Sequence, residues 1–449
     1  MHGDESRFLN DCFDDLFPIL RSITGPGIDE SLAYFGEHMP LEIAKVPSGE
    51  QIFDWTVPDE WHCRRGQLWG PDGELVCDTD VSNLHVVNYS EGIDTSLTLD
   101  ELQPHLHSIP SLPTAVPYVT SYYKRTWGFC LSDAARSALL PGKYIAKIDA
   151  EFVPTGGVPF ATCTLAGESD REILLTSYLC HPSLANNELS GPLVLLSLYR
   201  RLAMWPRRRF TYRFLLNPET IGALCFLSRY ADHLRVKLEA GLVLTCVGGP
   251  SSTLRYKASR MGTSRFDRVV NRISRNVEPN PLGARFEAFT PLGGSDERQY
   301  CSPGFNLPVG QIARTPYGEY PGYHNSLDTK EWMGIERLSE SAEAIEELLA
   351  VAEISGYPTN LSPFGEPQLS KRDLYPSMSA VHTGPQSADG IDGRTQLDRI
   401  LIMLSMADGE TPMEAIADKC GCSIRDLRST LERLEAEDLV EIDGLAIAQ

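Results

Sequence analysis

The sequence lacks the features that mark membrane, secreted or zinc-knuckle proteins. It contains no run of about 18 apolar residues and no apolar stretch close to its N-terminus, so neither a membrane span nor a signal peptide is expected. None of its 11 cysteines forms a C-x-x-C pair, and their number is odd. This pattern argues against a disulfide framework and a structural zinc site. We therefore expect a soluble cytoplasmic protein with free thiols.

Positive charge is also scarce. The chain has 40 Lys and Arg against 61 Asp and Glu, which gives a formal net charge of -21. A polyanion would be repelled from such a surface before short-range contacts could form. This excludes a general nucleic-acid binder or a protein that binds acidic membranes, and it favours a small-molecule or basic partner.

The pattern of apolar residues divides the 449-residue chain into regions. Residues 41–145 contain short β-like runs broken by Gly, Pro and Asp, which predict an inserted β-rich domain. Strands and helices alternate over residues 146–356, and together with residues 1–40 they predict a main α/β domain with helices on both faces of its sheet. Residues 357–393 are rich in Pro, Gly and Ser and predict a linker.

The C-terminal region, residues 394–449, predicts three helices followed by a short strand, an order typical of a winged helix-turn-helix. From residue 391 onward, six Lys and Arg face 13 Asp and Glu. Acidic residues also interrupt the segment "SIRDLRSTLERLEAEDL", which would be the recognition helix. Contact with DNA phosphates is therefore disfavoured, and protein contact or homo-oligomerisation is the better expectation.

Polar side chains follow successive predicted strands. His181 comes after "EILLTSYLC", Glu219 follows the next strand, and His324 lies in "YHNSLDT". Taken singly, each histidine is typical of a surface or packed residue, but strand ends of a parallel sheet meet at one edge. Neutral imidazoles bind zinc or iron, and a nearby carboxylate can take a proton from water, so the set predicts metal-assisted hydrolysis. We expect Asp328 to accept the second ring N–H of His324.

Further polar residues surround the predicted site. In "GGSDERQY", Asp296 belongs either to a solvated loop or to a lip of the site. At the lip it would join Glu219 as a catalytic residue by orienting a ligand or a substrate amine. In "RTPYGEYPGYH", Arg314 could bind a substrate carboxylate bidentately, and Tyr317 and Tyr323 could wall the pocket. Structural packing of these aromatic residues is an equal alternative.

Long motifs along nearly the whole chain resemble a known family, the bacterial aminopeptidase-like proteins that carry a C-terminal winged helix and occur with polysaccharide or secondary-metabolite biosynthesis genes. The motifs are, in order, "RSITGPGI", "VPSGEQIFDWTVPDEW", "SNLHVVNYS", "YVTSYYKRTWGFCLS", "CHPSLANNELSG", "NPETIG", "GGSDERQYCSPGFNLPVG" and "RTPYGEYPGYHNSLD". The family is distantly similar to zinc aminopeptidases. The resemblance implies a phosphorylase/hydrolase-like mixed sheet and a metal-dependent peptidase or amidase.

The resemblance also implies roles for individual residues. His181 and His324 would be metal ligands, and Glu219 would be the general base. Two further ligand positions of two-zinc aminopeptidases match Thr220 and Thr245, which are not carboxylates. One divalent ion is therefore expected rather than two, with zinc favoured over iron(II).

Residue 187 departs from the family pattern, in which the motif reads "AND" and supplies a carboxylate ligand. This chain has Asn187, and an amide oxygen carries no net charge. Metal affinity is expected to fall, leaving a site that is empty, weak or filled only with substrate. Either the lineage has moved away from hydrolysis or a substitution has inactivated it.

Two functions follow: a hydrolase acting on an amide bond of a small peptide or amino-acyl conjugate in a biosynthetic pathway, or a non-catalytic ligand-binding scaffold or regulator that acts through the winged helix.

Overall fold

A computed structural model describes residues 2–275, 283–375 and 392–443 of the chain. No helix within these ranges combines the length and apolar character that a membrane span requires. The helices are α1 (His2–Leu16), α2 (Pro26–Gly36), α3 (Leu99–Leu102), α4 (Asp133–Ser137), α5 (Ser190–Ala203), α6 (Ile221–Lys237), α7 (Arg265–Ser274), α8 (Glu297–Tyr300), α9 (Lys330–Met333), α10 (Ile335–Ala352), α11 (Gly393–Met406), α12 (Met413–Cys420) and α13 (Arg428–Ala436).

The strands form one large sheet and several small ones. Their bounds are β1 (Glu42–Pro47), β2 (Gln51–Ile52), β3 (Trp55–Thr56), β4 (Glu60–Trp69), β5 (Leu75–Asp78), β6 (Ile93–Thr98), β7 (Leu106–His107), β8 (Phe129–Cys130), β9 (Lys143–Val153), β10 (Gly157–Leu165), β11 (Glu172–Tyr178), β12 (Thr211–Asn217), β13 (Leu238–Leu244), β14 (Arg255–Lys257), β15 (Arg285–Glu287), β16 (Val309–Ala313), β17 (Pro358–Asn360) and β18 (Val440–Ile442).

The large sheet has eight strands in the order β1-β10-β12-β11-β13-β16-β14-β15. Its central strands β12, β11, β13 and β16 are mutually parallel, whereas β1, β10 and β14 introduce antiparallel pairings. Every residue of β11 is buried. That is expected for a strand covered on both faces, and it explains why β11 lacks the alternation of a half-exposed strand. The predicted mixed α/β sheet is present.

Helices cover both faces of this sheet, as predicted. On one face, apolar residues of α1, α5 and α10 pack into one cluster, to which Leu196 and Ile345 belong. On the other face, α6 contributes Leu224 and Phe226 to a second cluster together with Leu215 of β12. The sheet therefore lies between two cores, and its strand ends remain at the rim where loops carry polar residues.

The inserted domain is built on a four-stranded antiparallel sheet in the order β5-β4-β9-β6. The small sheet does not begin and end at residues 41 and 145, the expected boundaries of the inserted domain. Strand β1 pairs with β10 in the large sheet, and β9 extends the small sheet to Val153. Composition could not locate these limits because β1 and β9 are continuous strands whose partner sheet is chosen by long-range pairing.

The winged helix contains α11, α12, α13 and β18. Strand β18 pairs with β17, so the start of the predicted linker belongs to a sheet of this domain. Leu369 and Leu374, also in the predicted linker, are buried in the apolar cluster that the main domain shares with the winged helix. Residues 376–391 of that linker lie outside the described residues.

The winged helix packs closely against the main domain. The guanidinium of Arg209 lies 2.6 Å from the carboxylate of Glu435 on α13, and Arg425 lies 2.8 Å from Glu347 on α10. Leu431 and other apolar residues of α13 belong to the same cluster as α5 and α10. Helix α13, which would be the recognition helix, therefore faces the main domain.

Candidate functional site

Three of the predicted site residues meet at the carboxyl ends of the central strands. His181 lies just beyond β11 and Glu219 just beyond β12, and these strands are parallel neighbours. The Nε2 atom of His181 is 3.9 Å from Oε2 of Glu219. The ring centroids of His181 and His324 are 5.2 Å apart. The structure thus brings together the two histidines and the carboxylate.

Tyr118 of the inserted domain forms a wall beside both histidines. Its ring centroid lies 5.0 Å from that of His181 and 5.3 Å from that of His324. The backbone N–H of Tyr118 donates to the carbonyl oxygen of His324 at 2.8 Å, and Pro117 forms a β-bridge with Asn325. His324 has φ of 55°, a strained conformation for a residue other than glycine, and this bridge holds it in place. The sequence did not identify Tyr118.

Two of the predicted ligand atoms are buried without a hydrogen-bond partner in the described part of the chain. They are Nε2 of His324 and Oδ1 of Asn187. Burial, reinforced by the charge of His181, lowers the pKa of His324 to about 3, so its imidazole is neutral at neutral pH. Leaving a buried polar atom unpaired costs about 1–3 kcal/mol. These atoms therefore fit a missing ligand such as a metal ion.

The orientation of the Asn187 side chain is fixed by a tyrosine. Asn187 lies in a single π-helical turn, Ala185–Leu189, which leads into α5; such turns are frequent at functional sites. Its Nδ2 donates to the hydroxyl of Tyr178 at 2.9 Å, and that hydroxyl lies 2.7 Å from the backbone oxygen of Asn187. The remaining side-chain atom, Oδ1, is left free to coordinate.

Asp328 does not pair with His324, so that prediction is wrong. Its two carboxylate oxygens accept the backbone N–H groups of Asn186 and Asn187, both at 2.9 Å, and Oδ2 also accepts from the hydroxyl of Tyr320 at 3.1 Å. The carboxylate closes the start of the helical turn, where the free N–H groups and the helix dipole both favour negative charge.

Glu188 is the residue that sequence reasoning missed most clearly. Its Oε2 lies 2.7 Å from Nδ1 of His181, and its Oε1 accepts the backbone N–H of Cys180 at 2.5 Å. Cys180, His181 and Glu188 are the potential metal ligands that cluster within 4.8 Å in the described ranges. Nδ1 of His181 and Oε2 of Glu188 are hydrogen-bonded to each other, so they are not available as metal ligands. We therefore interpret the cluster as a group that leaves Nε2 of His181 free.

Opposing effects set the pKa of His181. Burial lowers it, whereas Cys180, Tyr118 and Glu188 raise it, and the net result lies well above the ordinary value for histidine. A metal ion bound at Nε2 must therefore displace a proton. Metal affinity is accordingly expected to increase with pH.

The carboxylate of Glu219 is held at one oxygen and directed towards His181 at the other. Its Oε1 accepts a hydrogen bond from Ser295 Oγ at 2.7 Å, which leaves Oε2 directed towards His181. Burial raises the pKa of Glu219, and the charge of His181 partly opposes that effect. A carboxylate with a raised pKa is a better match for a base that works near neutral pH.

Asp296 supports the turn that carries Glu219. Instead of lying in a solvated loop or at a lip, it is fully buried. Its Oδ1 accepts the backbone N–H of Thr220 at 2.7 Å, and its Oδ2 accepts from Asn217 Nδ2 at 2.9 Å. Thr220 has φ of 63°, so this strained turn needs such support. Burial, followed by the charge of Glu219, raises the pKa of Asp296 to about 7.

Replacing Asp296 by Asn should change how stability depends on pH. Because the pKa of Asp296 is higher in the folded chain than its ordinary value, its contribution to stability is lost as pH rises towards 7. In metal-free protein, the free energy of unfolding should therefore fall between about pH 5 and about pH 8, and fall less in Asp296→Asn. Urea unfolding at both pH values measures this. An equal decrease in both proteins would contradict the assignment.

The predicted substrate-binding residues divide into two groups. Tyr323 stacks on His324 with ring centroids 4.0 Å apart, and Tyr317 lies 5.8 Å from Tyr323. Both rings thus line the His324 side of the site. The side chain of Arg314 is instead engaged by the loop after β13 and by α10. It donates to oxygens of Ser251, Arg337 and Glu340.

The two positions that would complete a two-zinc site are occupied by uncharged groups. Thr245 Oγ1 lies 2.7 Å from the hydroxyl of Tyr178, which also contacts Asn187. Thr220 donates its backbone N–H to Asp296. Neither residue offers the anionic oxygen that a second cation would need.

Comparison with known proteins assigns the chain. The family described as a domain of unknown function (DUF4910) matches residues 10–355, which is well over half of the sequence. The chain belongs to the DUF4910 family. A winged helix-turn-helix family matches residues 347–442. A Clostridium acetobutylicum protein named "Putative polysaccharide biosynthesis protein with aminopeptidase-like domain" is 37% identical over 429 residues, covering 96% of this chain and 95% of the relative. The resemblance found in the sequence is thereby confirmed.

Solved structures agree with this assignment. The DUF4910 chain is similar to the crystal structure of a "putative peptidase" from Clostridium acetobutylicum, with a TM-score of 0.83, 34% identity and coverage of 98% of each chain. A zinc aminopeptidase from Bacillus subtilis has a TM-score of 0.53 and 14% identity, covering 79% of this chain and 94% of its own. The second likeness shows a shared fold. The predicted aminopeptidase-like α/β fold with a C-terminal winged helix is confirmed.

Proposed function

We propose that this protein is a metal-dependent hydrolase that cleaves an amide bond of a small peptide or amino-acyl conjugate, with activity weakened by Asn187. The observation that carries the proposal is the position of the Glu219 carboxylate, 3.9 Å from Nε2 of His181. Beside this pair lies the unpartnered, buried Nε2 of His324. A base next to unpaired donor atoms is the arrangement that metal-assisted hydrolysis needs.

The residues that would hold the ion are His181 through Nε2, His324 through Nε2 and Asn187 through Oδ1. Once His181 has lost the proton on Nε2, all three donors are uncharged, and imidazole nitrogen favours zinc or iron(II) over magnesium or calcium. We propose zinc, because the family fold is shared with zinc aminopeptidases. Bound there, zinc would supply Lewis acidity towards the carbonyl group of the substrate.

The chain itself supplies the proton transfer. Glu219 accepts a proton from the attacking water at Oε2 as the new C–O bond forms, while Ser295 holds Oε1. The same carboxyl group then gives that proton to the amine nitrogen as the C–N bond breaks. Asp296, which our sequence prediction placed among the catalytic residues, acts by keeping the turn of Glu219 in place.

The walls of the site favour a small substrate. Tyr118 lies beside both histidines, and Tyr323 and Tyr317 line the side of His324. Aromatic walls bind apolar or planar parts of a ligand. The name of the Clostridium acetobutylicum relative supports a place in a biosynthetic pathway.

The test is hydrolysis of a panel of amino-acyl anilides and dipeptides by protein loaded with zinc. We expect release of amine that depends on zinc and is abolished by a chelator. Elemental analysis of protein purified without chelators should find at most one zinc per chain. Two ions per chain, or release that chelators do not affect, would contradict the proposal.

A second proposal concerns the winged helix, which we propose contacts protein rather than DNA, either in a homo-oligomer or in another partner. Buried residues of α13 such as Leu431 face the main domain, and Glu432 is one of its exposed positions. An exposed acidic side chain on this helix would repel phosphate groups. An electrophoretic shift assay with random duplex DNA at several salt concentrations should show no complex. A tight, salt-sensitive complex would favour the regulator alternative.

A further inference from the structure

The side chain of Glu188 lies beneath His181 and is completely buried. One carboxylate oxygen, Oε2, contacts Nδ1 of His181 at 2.7 Å. The other, Oε1, accepts the backbone N–H of Cys180 and lies 3.6 Å from Nε of Arg21. These contacts of the carboxylate hold His181 on the side of its ring that faces away from Glu219.

Arg21, which follows α1 in the chain, completes this arrangement. Its side chain is also completely buried, and its Nε donates to the backbone oxygen of His181 at 3.1 Å. Its Nη1 donates to the carbonyl oxygen of Leu16 at 2.5 Å. The ion pair of Arg21 and Glu188 thus fixes both the backbone and the ring of His181. Two charges buried together are costly unless each is well paired, so a specific role is expected for them.

We infer that Glu188 is the positioning residue of the metal site, which it serves by fixing the ring of His181 and by supplying negative charge through it. This inference rests on the proposed function. With Nδ1–H donated to Glu188, the lone pair of Nε2 points towards Glu219 and the site. A carboxylate in this position also makes the imidazole a stronger donor.

The need for this charge follows from the ligands themselves. Asn187 carries an uncharged amide, and Thr220 and Thr245 add no charge. Glu188 bonds to the ring of a proposed ligand, whereas Asp328 reaches Asn187 only through its backbone N–H. It does not need to coordinate the metal itself, because Oε2 is already used by Nδ1.

The test compares Glu188→Gln with the unmodified chain. In the variant, the amide can accept from only one of the two donors, the N–H of Cys180 or of His181, and the negative charge is lost. Zinc affinity, measured by competition with a chromophoric chelator, should fall by about 10- to 100-fold. The visible spectrum of bound Co²⁺, which reports the geometry of the ligands, should change as well.

A matched control is Glu353→Gln. Glu353 is another buried carboxylate, and it accepts from the backbone of Arg209 at 2.6 Å and from Tyr212 at 2.8 Å, away from the proposed ligands. It should lower stability without changing zinc affinity or the Co²⁺ spectrum. If Glu188→Gln behaves in the same way, the inference is overturned while the proposed metal site stands.

A further pair of variants separates charge from folding. Glu188→Asp keeps the negative charge, although the shorter side chain places it farther from His181. This variant should bind zinc more tightly than Glu188→Gln. The double variant Glu188→Gln with Asn187→Asp should regain zinc affinity, because a carboxylate returns to the site. If Glu188→Asp binds zinc no more tightly than Glu188→Gln and the double variant does not regain affinity, the inference is overturned, even if Glu188→Gln alone is poorly folded. An unmodified chain that binds neither zinc nor Co²⁺ would overturn the proposed function and this inference together.

Discussion

Replacement of Glu219 by Gln is expected to lower turnover by about 10²-fold or more, the scale typical of removing a positioned acid-base group. The amide keeps the size of the side chain and can still accept from Ser295, so the fold and metal content should not change. It cannot accept a proton from water. Steady-state kinetics with the best substrate of the panel, together with elemental analysis, measures both quantities.

A control for this result is Ser295→Ala, which removes the hydrogen bond to Oε1 but keeps the carboxylate. It should cost less activity than Glu219→Gln. The pH profile provides a second check. Because burial raises the pKa of Glu219, activity should rise with pH at a higher pH than for an ordinary Glu, as the base loses its proton. Unchanged turnover in Glu219→Gln would remove this residue from the mechanism.

Replacement of Asn187 by Asp is expected to raise affinity for Zn²⁺ by about one order of magnitude or more, since groups around a ligand alone can change metal affinity by about 10- to 100-fold. Oδ1, which is buried and unpartnered, stays in place and takes up part of the carboxylate charge, so the new charge would face the proposed ion. The atom that changes is Nδ2, which faces the hydroxyl of Tyr178; that hydroxyl can turn its proton from the backbone oxygen of residue 187 to the new carboxylate oxygen, while Thr245 donates to Tyr178. Calorimetric titration of metal-free protein measures the difference.

The neighbouring residue provides a matched control. Asn186 has a fully bonded amide: its Oδ1 accepts from Gly248 at 2.9 Å and its Nδ2 donates to Thr315 at 3.1 Å. Asn186→Asp should therefore lower stability and leave zinc affinity unchanged. Equal zinc affinity in Asn187→Asp and the unmodified chain would mean that Asn187 only shapes the turn. Activity should rise together with affinity in Asn187→Asp if this lineage retains hydrolysis.

The residues that the sequence located correctly share a simple signal. His181 and Glu219 directly follow apolar strands, and the order of strands and helices indicated that these ends meet at one edge. His324 was assigned to the same edge from the segment "YHNSLDT", and it reaches the site through a long loop after β16. The place of a site residue in the fold could therefore be predicted where the residue directly follows a strand or belongs to a recognisable motif.

The residues that were misjudged depend on side-chain direction, which local sequence does not encode. Glu188 looks like an ordinary acidic residue near a helix start, and only its packing against Arg21 reveals that it is buried. Arg314 is polar and close in sequence to His324, but it points towards α10. Asp296 was expected in a loop because two glycines precede it, whereas tertiary contacts bury it.

The bridge between the inserted domain and the loop of His324 affects how the protein must fold. Val116 donates its backbone N–H to Ser326, a residue 210 positions away along the chain. Contacts of such large sequence separation form slowly, because the entropy of closing a long loop must be lost before the contact can stabilise the fold. The site therefore matures late in folding. A nascent chain that stops short of this loop would lack His324, a proposed ligand, and Tyr323, which stacks on it. The proposed binding of a metal would then be a property of the finished protein and not a nucleus around which it folds.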